Sequence, residues 1–331
     1  MIVYVNTYTI IIVMIDLNSI LRKPKAELHV HLEGSLEPEM MLKLAKRNNI
    51  LLKWNNIEEI RQAYNFANLQ EFLNLYYQGM SVLVTERDFY DLTYAYLYKA
   101  HFDNIVHTEI FIDPQAHIAR RIELSVIFSG INKAIMQAKL EFGIDAYIIT
   151  CFLRHLSEKS SLIMFDQLMD FRDEFIGIGL DSSELGNPPN KFKNLFNLAR
   201  KENLFLVAHA GEEAPAKYVW EAIDILGVDR IDHGNSIITD VDLIRRVVKD
   251  KIPLTMCPLS NKSLQVTPDL KLHPAKKLLE QGVIVTINSD DPSYFGGYVN
   301  ENYRQLVKAL NLSDCDVVQL IDNSLKSIFV N

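Results

Sequence analysis

Along residues 24–325, short apolar runs that end in polar residues alternate with stretches whose apolar positions recur at helical spacing. Runs at 26–33, 106–112, 145–152, 175–181, 204–210, 230–233, 253–257 and 283–288 predict eight strands. Their centres are rich in Val and Ile, which suits strands covered on both faces. Helical patterns fall at 38–48, 69–82, 86–101, 119–141, 157–172, 190–201, 216–226, 239–249, 272–281, 301–310 and 314–325. Residues 36–103 hold several of these and no strand. The alternation predicts an α/β fold, a (β/α)8 TIM barrel with a helical insertion after strand 1. The competing architecture, an open doubly wound sheet, calls for a Gly-rich phosphate loop after its first strand, and the sequence has none there.

Residues 14–331 read as one barrel domain. The apolar stretch 1–15 (MIVYVNTYTIIIVMI) breaks the rhythm. It is too short for a membrane span and lacks the basic start and small-residue cleavage site of a signal peptide. Residues 1–13 therefore read as an accessory extension: an added strand, or residues ahead of a start at Met14. With 34 basic and 42 acidic residues the chain carries a formal charge of −8, which argues against a nucleic-acid partner, and nothing points to a membrane partner. Cys151, Cys257 and Cys315 are far apart and show no CxxC spacing, so they read as reduced thiols in a cytoplasmic setting. The aromatic stripe Tyr76, Tyr77, Met80, Phe89, Tyr90, Tyr94 and Tyr98 is assigned to core, with a lid lining or a homo-oligomer contact as the alternative.

The chemistry starts at His29 and His31, which stand two apart on the first predicted strand. That spacing puts both imidazoles on one face, half or more of the protein ligands a first-row metal needs. A pair of solvated histidines is the bland alternative, and three later segments weigh against it. In such barrels the chemistry gathers at the carboxyl ends of the strands. There the sequence places His209, Gly211 and Glu212 after strand 5, His233 at strand 6, Pro258–Asn261 after strand 7, and Ser289, Asp290 and Asp291 after strand 8. His29, His31, His209 and Asp290 make a nitrogen–oxygen set of the kind a catalytic zinc takes. Many barrel metallohydrolases hold two metals bridged by a modified lysine after strand 4. Here no lysine follows until Lys191, so one Zn2+ per chain is expected. Glu212 is placed for proton transfer beside the metal, where a closed pocket would raise its pKa, and His233 is placed to bond the attacking water.

Five segments carry a family resemblance: PKAELHVHLEG (24–34), HAGE (209–212), RIDHG (230–234), CPLSN (257–261) and SDDP (289–292). Together and in this order they resemble the adenosine/adenine deaminase family of the amidohydrolase superfamily. The resemblance implies one zinc held by His29, His31, His209 and Asp290. It implies proton donation from Glu212 to purine N1, water activation by His233, and a bond from Asp291 to N7. It also implies that Glu184, or the backbone near Ser183, faces N3. Within the family the chain looks closest to members acting on the free base adenine, through stretches such as HTEIFIDPQAH (107–117) and GLDSSELGNPPNKF (179–192). Adenosine deaminases usually carry Asp where this chain has Glu33. The longer carboxylate is expected to fill the ribose volume. One departure is Arg120-Arg121 in place of the usual Arg-Gly, read as a solvated helix start. The expected reaction is hydrolysis of adenine to hypoxanthine and ammonia. The alternatives are deamination of adenosine or another 6-aminopurine, a different hydrolytic barrel enzyme, and a non-catalytic purine-binding protein.

Overall fold

The computed structural model describes residues 17–330, so the extension read at 1–13 lies outside the described residues. Eight strands run in chain order around one sheet: β1 (Lys25–His31), β2 (Ile105–Ile112), β3 (Asp145–Leu153), β4 (Gly177–Asp181), β5 (Phe205–Ala210), β6 (Arg230–His233), β7 (Leu254–Met256) and β8 (Val285–Ile287). Every neighbouring pair is parallel. The barrel closes just beyond β8, where Val30 bridges Asp290. There the His31 amide donates to the Asp290 carbonyl at 2.9 Å and the Asp290 amide donates to the His29 carbonyl at 3.1 Å. Two candidate ligands are thus fixed to a third by main-chain bonds at the seam.

All eight predicted strands are present, with ends moved by up to two residues. The helical insertion consists of Pro38–Arg47, Ile57–Ala63, Leu69–Gly79 and Glu86–Phe102. The seven-residue helix Ile57–Ala63 was not predicted, because so short a segment has no readable period. The helix expected to begin at 119 begins at Leu124. Arg121 ahead of it has φ +66°, a left-handed conformation that suits the glycine usual at this point. Arg120 is not a solvated helix start. Its guanidinium donates to the Ser81 and Leu83 carbonyls at 3.0 Å each and meets His117 Nδ1 at 2.5 Å, tying the insertion to the barrel.

The barrel lumen holds a small apolar cluster, Phe111, Ile149, Cys151 and Val207, with Phe329 packed against it. Towards the amino ends of the strands, the fully buried Arg230 donates to Glu109 Oε2 at 2.6 Å and to the Leu28 carbonyl at 3.0 Å. Its guanidinium lies 4.3 Å over the Phe329 ring. Burying a cation requires a partner charge, which Glu109 supplies, and the arrangement closes the end opposite the site. The aromatic stripe divides. Tyr76 and Tyr77 line the cavity described below, Met80 and Phe89 are core, and Tyr98 is exposed. Among the described residues no helix is long and apolar enough to cross a membrane.

Candidate active site

The strand ends are built to turn side chains inwards. Ser182, Gly211, His233 and Asp290, at the ends of β4, β5, β6 and β8, all have positive φ (+73°, +74°, +65° and +64°). For the three non-glycines that conformation costs about 1–2 kcal/mol each, strain of the kind that collects where function demands an unusual aim. Gly34 is required for a different reason: a Cβ there would sit 2.0 Å from Asp291 Oδ1 and 2.7 Å from its Cα.

The structure brings His29, His31, His209 and Asp290 together. The Nε2 atoms of His31 and His209 are 3.2 Å apart, and Asp290 Oδ1 lies 3.3 Å from His29 Nε2 and 3.4 Å from His31 Nε2. Metal–ligand bonds of about 2.0–2.1 Å at tetrahedral angles put ligand atoms about 3.3–3.4 Å apart, so these three separations suit ligands of one first-row metal ion. Ligand atoms of His29, His209 and Asp290 lie within 4.8 Å of one another and of one on His233. His29 Nε2 is buried with no hydrogen-bond partner. Burial, followed by the neighbouring imidazoles His29, His233 and His31, pushes His209 well below the ordinary histidine range. Burial pushes the Asp290 carboxyl up, but His29 and the other imidazoles outweigh it and hold the group well below the ordinary carboxylate range. A neutral imidazole and an ionised carboxylate are the forms a metal binds.

Behind the ligands stand residues the sequence reading missed. Thr255 Oγ1 lies 2.9 Å from His29 Nδ1 and donates to Asp232 Oδ1 at 2.9 Å. The other Asp232 oxygen lies 3.5 Å from His209 Nδ1. Asp181 Oδ2 faces His31 Nδ1 at 3.7 Å. Each candidate histidine therefore has a polar atom facing its far nitrogen, hydrogen-bonded at His29 and at 3.5 and 3.7 Å for His209 and His31, positions from which partners orient rings at metal centres. Arg154, fully buried, donates to the His209 carbonyl at 2.6 Å and steadies the turn after β5.

Glu212 and His233 flank the cluster. His233 Nε2 is 3.6 Å from Glu212 Oε2 and 3.8 Å from Asp290 Oδ2. Burial, then the charges of Asp290, Glu184 and Glu213, raises the Glu212 carboxyl well above its ordinary range. A hydrogen-bond chain sets the His233 tautomer. The Ala275 amide donates to His273 Nδ1, so His273 Nε2 carries the hydrogen and donates to Asn261 Oδ1 at 3.1 Å. The Asn261 amide nitrogen then faces His233 Nδ1 at 3.5 Å, leaving the His233 hydrogen on Nε2, towards the cluster.

These groups open into a cavity between the strand ends and the helical insertion. One wall carries His31, His209, Glu212, His233, Asp290 and Asp291, and the opposite wall carries Leu69, Phe72, Leu73, Tyr76 and Tyr77 of the insertion. Asp291 is buried, and its Oδ1 has no hydrogen-bond partner. Three expected site residues stand elsewhere. Glu33 is not on the cavity wall: its Oε1 takes the His117 Nε2 contact at 2.7 Å and the Asp113 amide at 3.2 Å. The Glu184 carboxylate accepts the amides of Gly211, Glu213 and Ala214 at 2.6, 2.8 and 2.9 Å, so it caps the turn that carries Glu212. Ser183 Oγ donates to Gln70 Oε1 at 2.9 Å, outside the cavity. The residue of this loop on the cavity wall is Ser182, held by Tyr77 OH at 3.1 Å and His155 Nδ1 at 2.8 Å.

The chain has close relatives. The family model described as adenosine deaminase matches residues 24–331. An adenine deaminase of Zymomonas mobilis is 54% identical over 93% of this chain and 91% of its own length. One from Psychrobacter cryohalolentis is 50% identical over 96% and 95%. Among solved structures, the adenine deaminase of Arthrobacter aurescens superposes with a TM-score of 0.91 at 47% identity, covering 93% of this chain and 94% of that one. An amidohydrolase of Burkholderia ambifaria with bound Zn gives 0.86 at 26% identity, over 94% and 87%. By the span of the family match and the level of these identities, the chain belongs to the adenosine deaminase family.

Proposed function

We propose that the protein hydrolyses adenine to hypoxanthine and ammonia, using one zinc ion per chain held by His29, His31, His209 and Asp290. The observation that carries the reading is the convergence of those ligand atoms, three of whose separations are 3.2–3.4 Å, with a proton-holding carboxyl and an Nε2–H imidazole beside them. Its relatives named adenine deaminase support the substrate assignment.

A zinc ion at this position would supply the Lewis acidity that brings the ionisation of water from 15.7 down to about 7. The chain supplies the rest. Glu212, kept protonated by burial, gives its proton to purine N1. That breaks the ring's aromaticity and leaves C6 electron-poor towards the attacking water. His233 presents its Nε2–H to the attacking oxygen and fixes its direction. Asp291 faces N7 and sets the base in plane with Glu212. The insertion wall of Leu69, Phe72, Leu73, Tyr76 and Tyr77 covers the apolar face of the ring and excludes bulk water. Water adds its oxygen to C6, one of its protons restores the one Glu212 gave to N1, the other passes to the exocyclic amine, and the C6–N bond breaks to release ammonia and leave the C6 carbonyl. A cytoplasmic setting belongs to the same reading and is supported by the three unpaired cysteines.

The test is ammonia release from a panel of adenine, adenosine, N6-methyladenine and AMP, with metal content measured on the same preparation. Adenine should give the highest kcat/KM, with about one zinc per chain. A clear preference for adenosine would overturn the substrate assignment, and tight purine binding without turnover in metal-loaded protein would make this a binding protein.

A further inference from the structure

The geometry points to Asp113 as the acceptor for the purine N9–H, and so as the residue that selects a free base over any N9-substituted purine. This rests on the reading above, which places C6 at the ligand cluster, N1 at Glu212 and N7 at Asp291. In that orientation the N3–C4–N9 edge turns away from the cluster, towards the wall that carries Tyr76, Asp113, Asp181 and Ser182. The ring of His31 measures the distance. Its Nε2 faces the other ligands while its Nδ1 faces Asp181, and single ligand atoms of His31, Asp113 and Asp181 lie within 4.8 Å of one another. The two carboxyls therefore stand beyond the His31 ring, on the side away from the other ligands. Asp181 has Oδ2 turned to His31, and its Oδ1 is buried without a hydrogen-bond partner. Asp113 is 2% exposed, and its Oδ1 is buried in this wall with no hydrogen-bond partner.

A buried carboxyl oxygen without a hydrogen-bond donor is unfavourable. The N9–H of a free purine is a donor that a nucleoside or a 9-alkyl purine lacks. Glu33 was expected to make this selection, but it is engaged by His117. It acts one step back, receiving the Asp113 amide at 3.2 Å and so fixing where the Asp113 side chain starts.

The test compares wild type, Asp113→Asn and Asp113→Leu in kcat/KM for adenine and 9-methyladenine, and in calorimetric affinity for purine and 9-methylpurine. Wild type should favour the 9-H compound by on the order of 10²-fold or more, as sites built around a hydrogen bond do. Asp113→Asn keeps an acceptor oxygen and should keep most of the preference. Asp113→Leu should bring it within about tenfold. Equal losses for the 9-H and 9-methyl compounds in Asp113→Leu, or a wild type indifferent to the methyl group, would overturn the assignment. If adenine is not turned over but purine is still preferred over 9-methylpurine in an Asp113-dependent way, the reaction assigned above fails and the N9–H site stands.

Discussion

Replacing Asp232 by Asn probes the polar shell that aims the candidate ligands. Asp232 is fully buried and reaches two of them: His29 through Thr255, with both links at 2.9 Å, and His209 directly at 3.5 Å. An asparagine can keep its oxygen towards Thr255, so the His29 link survives. Its amide group would then face His209 Nδ1. With Nε2 turned to a metal, that nitrogen carries a hydrogen, so two donors meet in a space closed to water. Losing such an orienting partner weakens metal affinity about 10–100-fold, which is about 1.4–2.8 kcal/mol. The assay is zinc competition against a chromophoric chelator, followed by turnover at saturating zinc. The variant should need 10–100 times more free zinc for half occupancy and should recover much of its turnover once loaded. Unchanged zinc affinity would refute the reasoning, as would a variant that stays inactive with its site full.

Four further outcomes follow from the geometry. Glu212→Gln should keep its metal and lose about 10²–10⁴-fold in turnover, since it removes a positioned acid; metal analysis with ammonia release checks both halves. Arg121→Gly should stabilise the fold by about 1 kcal/mol by relieving φ +66°, seen as a rise in the denaturation midpoint. Glu33→Ala removes the carboxylate that pairs with buried His117 and should destabilise by about 3 kcal/mol, measured by chemical denaturation. His273 is buried and pushed down to about 3, so below the unfolded value of about 6.5 only the unfolded chain takes up the proton. Stability should therefore fall as pH drops from 6.5 towards 3, by about 1.4 kcal/mol per unit from this residue. His273→Gln should lack that component when denaturation is compared at pH 7 and pH 4.5.

The barrel was legible because its strands are short, apolar and bounded by polar residues, a local signal. What escaped were features set by tertiary geometry. The late start of the helix at Leu124 comes from the left-handed Arg121, and nothing in the local pattern marks that residue. The candidate ligands were legible because His29 and His31 share a face of one strand and His209 and Asp290 end two others. The same signal, a polar residue just past an apolar run, marks Asp113 after HTEIFI and Asp181 after IGIGL. Glu184 was expected in the cavity by its sequence position. Ser182 at φ +73° turns the chain there, which leaves Ser182 facing inwards and sends the Glu184 carboxylate to the turn after β5. Glu33 was given a substrate role because its length matched a missing ribose. Its partner His117 lies 84 residues away on another strand's loop, beyond the reach of any local pattern. Thr255 and Asp232, inside β7 and β6, carry no signal of their own, because a buried threonine or aspartate in a strand gains its meaning only from the imidazole across from it.

Catalysis by this site depends on one place in space, the point shared by His29 Nε2, His31 Nε2, His209 Nε2 and Asp290 Oδ1. Crystals of the zinc-loaded protein, measured on both sides of the zinc absorption edge, would locate it. The predicted result is a single anomalous peak per chain, about 2.0–2.2 Å from all four atoms. A peak bound by other residues, or active crystals with no peak between these four, would contradict it.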